Sequence, residues 1–118
     1  MKQVRTIKDI RLFDAQLVSC FGFYERYEII KGSDNKAENI TQTGRAVIVL
    51  EDGTKVLLYP VWHKDNLRSA EELRMFNKKE VEIKGRIYLE APNISEDNPA
   101  QNLSIPCLME ITDIIRKR

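Results

Sequence analysis

The sequence predicts an all-β domain of five strands with one short helix between the third and the fourth. Three observations carry this. Stretches rich in β-branched and aromatic residues are separated by glycine, proline and polar clusters. Asp52-Gly53 stands between two apolar runs and has the chemistry of a tight hairpin turn. Ser69-Ala70-Glu71-Glu72 opens a helix too short to hold in water alone, so it must dock on a sheet.

Residues 1–14 form an N-terminal extension outside that order. Thr6 with Asp9 has the spacing of a helix start, and Ile7, Ile10 and Phe13 fall roughly on one face. Residues 15–31 read as a long first strand interrupted by Gly22. A glycine inside a strand marks a bulge or bend, or makes room for a neighbour. The polar segment from Gly32 to Gly44 reads as a loop. The hairpin follows over residues 45–60, and Pro60 ends it because it cannot donate to the ladder. Alternation places Ala46, Ile48, Leu50, Val56 and Leu58 inward, with Arg45, Val47, Val49, Lys55, Leu57 and Tyr59 outward.

Ser69 and Glu72 match a capping box, Ala70, Leu73 and Phe76 make a narrow apolar face, and Lys78 and Lys79 suit the helix's carboxyl end. Val81, Ile83, Ile87 and Leu89 then alternate with charged residues and Tyr88 in the fourth strand, with Gly85 on its inner face. Asn93–Ser104 is a second polar loop, and residues 105–115 are the last strand before a basic tail.

The chain's 118 residues suit one domain spanning 1–118, with its core over about 15–115. Nineteen Lys and Arg against eighteen Asp and Glu leave a net charge of +1, so any basic surface must be local. No apolar run reaches the roughly 20 residues of a membrane span. The charged amino terminus lacks the apolar block of a signal peptide, and a cytoplasmic location is expected. Cys20 and Cys107 each lie in an apolar stretch and read as buried free thiols.

Five strands with a helix between the third and fourth resembles the OB-fold, a Greek-key barrel. The resemblance rests on element order, on Gly22 in a first strand long enough to serve two sheets, and on a helix placed to plug the barrel's end. It is a likeness of fold and names no family within it. It implies a ligand face on the second and third strands, framed by the two long loops. The rival architecture is another small barrel, or an α+β sheet with the helix on one face.

Two binding functions fit. The first is a non-catalytic module for single-stranded nucleic acid. Tyr24 and Arg26 share the outer face of the first strand and Lys84, Arg86 and Tyr88 that of the fourth; Tyr24, Tyr59, Trp62 and Tyr88 would stack on bases, and Arg26, Lys84 and Arg86 would contact phosphates. Glutamates interleave with these residues on the same strands, Tyr24 and Tyr88 also fit cross-strand packing pairs, and Trp62 also fits an anchor for the helix. The second is a protein-interaction module or homodimer using the apolar outward face of Val47, Val49, Leu57 and Tyr59. Burial of that face under the amino-terminal segment would account for the same pattern.

The sequence carries no signature of an enzyme, a metal site or a cofactor. His63 is the only histidine and has no triad partner in sequence. No C-x-x-C or H-x-x-H spacing exists, and no glycine-rich phosphate loop. Glu82-Ile83-Lys84 has the E-x-K spacing of metal-dependent nucleases, with Asp52 as a conceivable second ligand. That spacing is common on amphipathic strands, and a hairpin turn is a poor place for a metal ligand.

Overall fold

The structure is a computed structural model. It describes residues 2–31, 40–60, 63–90 and 105–117. In chain order the elements are β1 Lys2–Val4, α1 Ile7–Leu12, β2 Leu17–Lys31, β3 Ile40–Val49, β4 Lys55–Leu58, α2 Ala70–Phe76, β5 Lys79–Tyr88 and β6 Cys107–Arg116. A 3₁₀ turn, Lys64–Asn66, precedes α2.

The strands run β2-β3-β4-β6-β5, and β5 pairs back onto β2, closing a five-strand barrel. β4 and β6 meet in parallel, while the other barrel pairs are antiparallel. β2 makes the closure possible. Leu17 to Tyr24 pair with β5 and Phe23 to Lys31 pair with β3, so one strand holds both edges. β1 lies parallel to the start of β2, matching Val4 with Cys20 on the stretch that precedes its pairing with β3.

Gly22 sits at this change of partner. A Cβ built there would lie 2.4 Å from Ile48 Cγ2 and 2.7 Å from the Val49 carbonyl oxygen. The β2–β5 register runs through Gly22 without a shift, so the glycine answers to close approach and not to a bulge. The irregularities lie elsewhere. β3 is bulged where Gly44 takes a φ of 96°, and β6 is bulged opposite Gly85, where Glu110 takes a φ of 52°.

The inward set matches the alternation. Ala46, Ile48 and Leu50 from β3, Val56 and Leu58 from β4, and Val81, Ile83 and Ile87 from β5 form one core with Val18, Cys20 and Leu108. Leu73 and Phe76 of α2 enter it, whereas Ala70 stays exposed. Thr6 and Asp9 form the expected cap of α1, and Ile10 is fully buried. α1 is tied to the β3–β4 turn, where Asp52 accepts from the Ile7 N–H at 2.9 Å. α2 lies at the opposite end of that hairpin, where the Arg68 N–H donates to the Gly44 carbonyl.

Two expectations change. Residues 40–44 are part of β3 and not of a loop, because Ile40, Thr41 and Gln42 pair with β2. β-branched residues there favour extended backbone, and the polar composition hid it. α2 follows the fourth strand in chain order, since β1 adds a strand in the amino-terminal extension. Among the described residues no helix is long and apolar enough to cross a membrane.

The contact at Gly22 is testable. Gly22→Ala forces a methyl group into the backbone of β3 and should cost about 1–3 kcal/mol of stability, the usual range for overpacking. Urea denaturation of both proteins checks it, and an unchanged midpoint would refute the close-approach account.

Candidate functional site

Three of the seven residues expected to touch nucleic acid have structural duties. Tyr24 is fully buried and faces inward, against the expectation that it lies on the outer face. Its ring packs on Phe76 with centroids 6.0 Å apart, and its hydroxyl donates to Glu72 at 2.6 Å. It holds α2 and offers no stacking surface. Arg86 pairs with Glu110 and donates to the Ala15 carbonyl at 2.7 Å, bracing the β6 bulge. Tyr88 is half-buried in an apolar cluster on the outside of the barrel. Lys84 stands on the outer face of β5 opposite Ser19 and Asp113. Trp62 lies outside the described residues. Arg26 and Tyr59 remain, and both lie near α2.

The outward hairpin face is not a bare apolar patch. Val47, Leu57, Cys107 and Tyr88 are successive cross-strand partners over β3, β4, β6 and β5, forming one row. Val47 and Leu57 are only 7% and 5% exposed, packed with Val49, Tyr88, Ile105 and Met109. The cover therefore includes the start of β6, and the amino-terminal helix joins the main core instead. Burial pushes the Cys107 thiol up to about 12, and Cys20 in the main core likewise.

A polar tract runs along the α2 end. Ser69 caps the helix by accepting from the Glu72 N–H at 3.1 Å. The Glu72 side chain does not turn back as a capping box requires; it takes both Arg68 Nε and Arg68 Nη2 at 2.7 Å, besides the Tyr24 hydroxyl. Burial works against the charge on Arg68, and Glu72 first, with Tyr24 and Tyr59 after it, more than offsets that, holding the guanidinium above its ordinary value. Arg68 also lies over the Tyr59 ring at 5.6 Å, and Tyr59 stacks on His63 with centroids 4.7 Å apart.

Tyr59 is held in a costly conformation. Its φ is 66°, a region that bulky side chains rarely adopt. Four bonds fix it. Its N–H donates to Leu108, its carbonyl accepts from Asn66 Nδ2 at 2.8 Å, its hydroxyl accepts from the Ile111 N–H at 3.0 Å, and Asn66 also bonds the Leu58 carbonyl. Asn66 is itself fully buried and accepts from Arg45. Strain that is overdetermined in this way concentrates at functional sites.

Beside Arg68 opens a groove of about 700 Å³, lined by Arg26, Arg68, Arg74, Gly44, Leu73 and Asn77. Asn77 accepts from the Arg26 N–H at 3.0 Å and fixes that strand to the helix end. No carboxylate lines the groove among the described residues, and neither Arg26 nor Arg74 has an acidic partner among them. The groove's electrostatics therefore favour an anion. Sequence reading missed Arg68, Arg74 and Asn77. The four-residue step from Arg68 to Glu72 was the one available signal.

The residues weighed for catalysis have other partners. Glu82 pairs with Lys117 at 3.1 Å, and its carboxyl is held below the usual range by that lysine first and by Ser19 after it. Asp52 is held low by the Ile7 N–H and by Thr54. His63 Nδ1 accepts from the Asp65 N–H at 3.0 Å, capping the 3₁₀ turn. Among the described residues no three His, Cys, Asp or Glu side chains group as a metal site. No protein-family model, curated protein or solved structure matches the chain.

The tie between Tyr24 and Glu72 predicts a pH dependence. Burial, then Glu72 as acceptor and as charge, raises the Tyr24 phenol above its ordinary value of 10.0. The stability that this raised value contributes is fully present below pH 10.0 and is lost as pH rises towards the folded value. The stability gap between wild type and Tyr24→Phe should therefore shrink above that pH. Denaturation curves at pH 8 to 11 check it, and a constant gap would refute it.

Proposed function

We propose that the chain is an OB-fold that binds single-stranded nucleic acid without catalysis. The fold reading is supported by barrel order. Counting from β2, the α2 helix falls between the third and fourth barrel strands, and the third and fifth pair in parallel as the Greek-key barrel closes.

One observation carries the functional reading. Arg68 joins a groove of arginines to a pair of stacked rings. It lines the groove with Arg26 and Arg74, and its guanidinium covers Tyr59, which stacks on His63. Cations in a row with flat rings are what a single strand needs, phosphates on one and bases on the other. Arg26 and Gly44 stand on the two strands that residues 32–39 join, the connection that frames ligands in OB-folds. Of the original contact set, Arg26, Tyr59, Trp62 and Lys84 stay in the proposal, and Arg68, Arg74 and His63 join it. Glu72 neutralises much of Arg68, so Arg26 and Arg74 carry most of the phosphate attraction.

Anisotropy with a labelled oligo(dT) tests this. Binding should weaken linearly on a logarithmic salt scale, with the slope reduced by about 0.7 for each of Arg26 and Arg74 changed to Ala. No binding by micromolar protein at low salt would end the proposal.

A further inference from the structure

A second cavity, of about 480 Å³, lies on the other side of the Gly22 crossing. Phe21 and Phe23 both line it, two residues apart on β2. The Arg5 guanidinium covers Phe21 at 4.1 Å from the ring centroid. Phe23 is 39% exposed, and among the described residues no other ring stacks on it. Its cross-strand partners are Val49 on β3 and Glu80 on β5. Glu51 and Glu80 line the cavity, both are exposed, and among the described residues neither pairs with a cation; Lys117 lines it too, with its ammonium paired to Glu82.

We infer that this cavity is a subsite for one nucleobase, selecting a base whose edge donates hydrogen bonds, guanine above all. The inference rests on the nucleic-acid reading. A flat heterocycle stacks equally well on an open phenyl ring and on a guanidinium plane. Carboxylates only accept, so the edge that meets Glu51 or Glu80 must donate. Guanine presents its N1–H and 2-amino group side by side, the spacing of two carboxylate oxygens. Thymine and uracil flank their single N–H with carbonyls, which these carboxylates repel. Adenine and cytosine offer an amino group beside an acceptor nitrogen and satisfy one carboxylate oxygen only. Val49, the neighbour of Phe23 on β3, completes the lining where no polar group is asked of it.

The test compares a dT decamer with the same decamer carrying one central dG, and follows the Phe21 to Phe23 amides by NMR with guanosine and with thymidine. The dG decamer should bind about fivefold tighter or more, the discrimination of one good bidentate contact. Phe23→Ala should remove that preference. So should the double change Glu51→Gln with Glu80→Gln, which leaves the ring and the fold's apolar contacts in place. Substituting Arg26 and Arg74 should weaken both decamers and leave their ratio unchanged. Equal binding of the two decamers overturns the subsite and leaves strand binding standing. If neither decamer binds, strand binding falls and guanosine decides: a shift of the Phe21 to Phe23 amides upholds the subsite, and no shift overturns it.

Discussion

One missing side chain lets the barrel exist. β2 must pair with β5 along its first half and with β3 along its second, and the hand-over brings its backbone against β3. At Gly22 there is no room for a Cβ between Ile48 and the Val49 carbonyl. Every later feature inherits that crossing. Unbroken alternation through it keeps Tyr24 inward with Val18 and Cys20, so that its hydroxyl reaches Glu72 across 48 residues of sequence. It also leaves Phe21 and Phe23 on the outside, next to Val49.

Glu72 is the second dependency. A helix of seven residues has little stability of its own, and α2 is fixed by Leu73 and Phe76 in the core and by one carboxylate shared between Tyr24 and Arg68. The same carboxylate sets the posture of Arg68, which in turn covers Tyr59. Packing of α2 and presentation of the cationic groove are thus one arrangement. A change at Glu72 disturbs both the fold and the surface, and Arg26 or Arg74 reports on the surface more cleanly.

What the sequence made legible follows from which strands are one-sided. β5 alternates clearly, so its inward residues could be read off, whereas β3 and β4 are apolar on both faces around Val47 and Leu57. β2 is apolar on both faces over Leu17 to Tyr24, because Leu17, Phe21 and Phe23 face out while Val18, Cys20 and Tyr24 face in. Alternation cannot tell the sides of such a strand apart. Periodicity therefore leaves the side of Tyr24 open, and it cannot mark Phe21 and Phe23 as outward. The groove was hidden for another reason. Arg26, Arg74 and Asn77 meet only when α2 docks against β2, and no local pattern encodes that meeting.

The ring of strands has one thin seam. β4 has four residues, and it meets β6 through only two matched pairs, Leu57 with Cys107 and Leu58 with Leu108. The other joints of the cylinder are longer, so thermal breathing concentrates where fewest ladder bonds must break together. Opening there would part Leu57 from Cys107 and bare a thiol that burial otherwise keeps protonated. Slow alkylation of Cys107 would therefore serve as a clock for unlatching of the wall itself, read from a residue outside the proposed contact set.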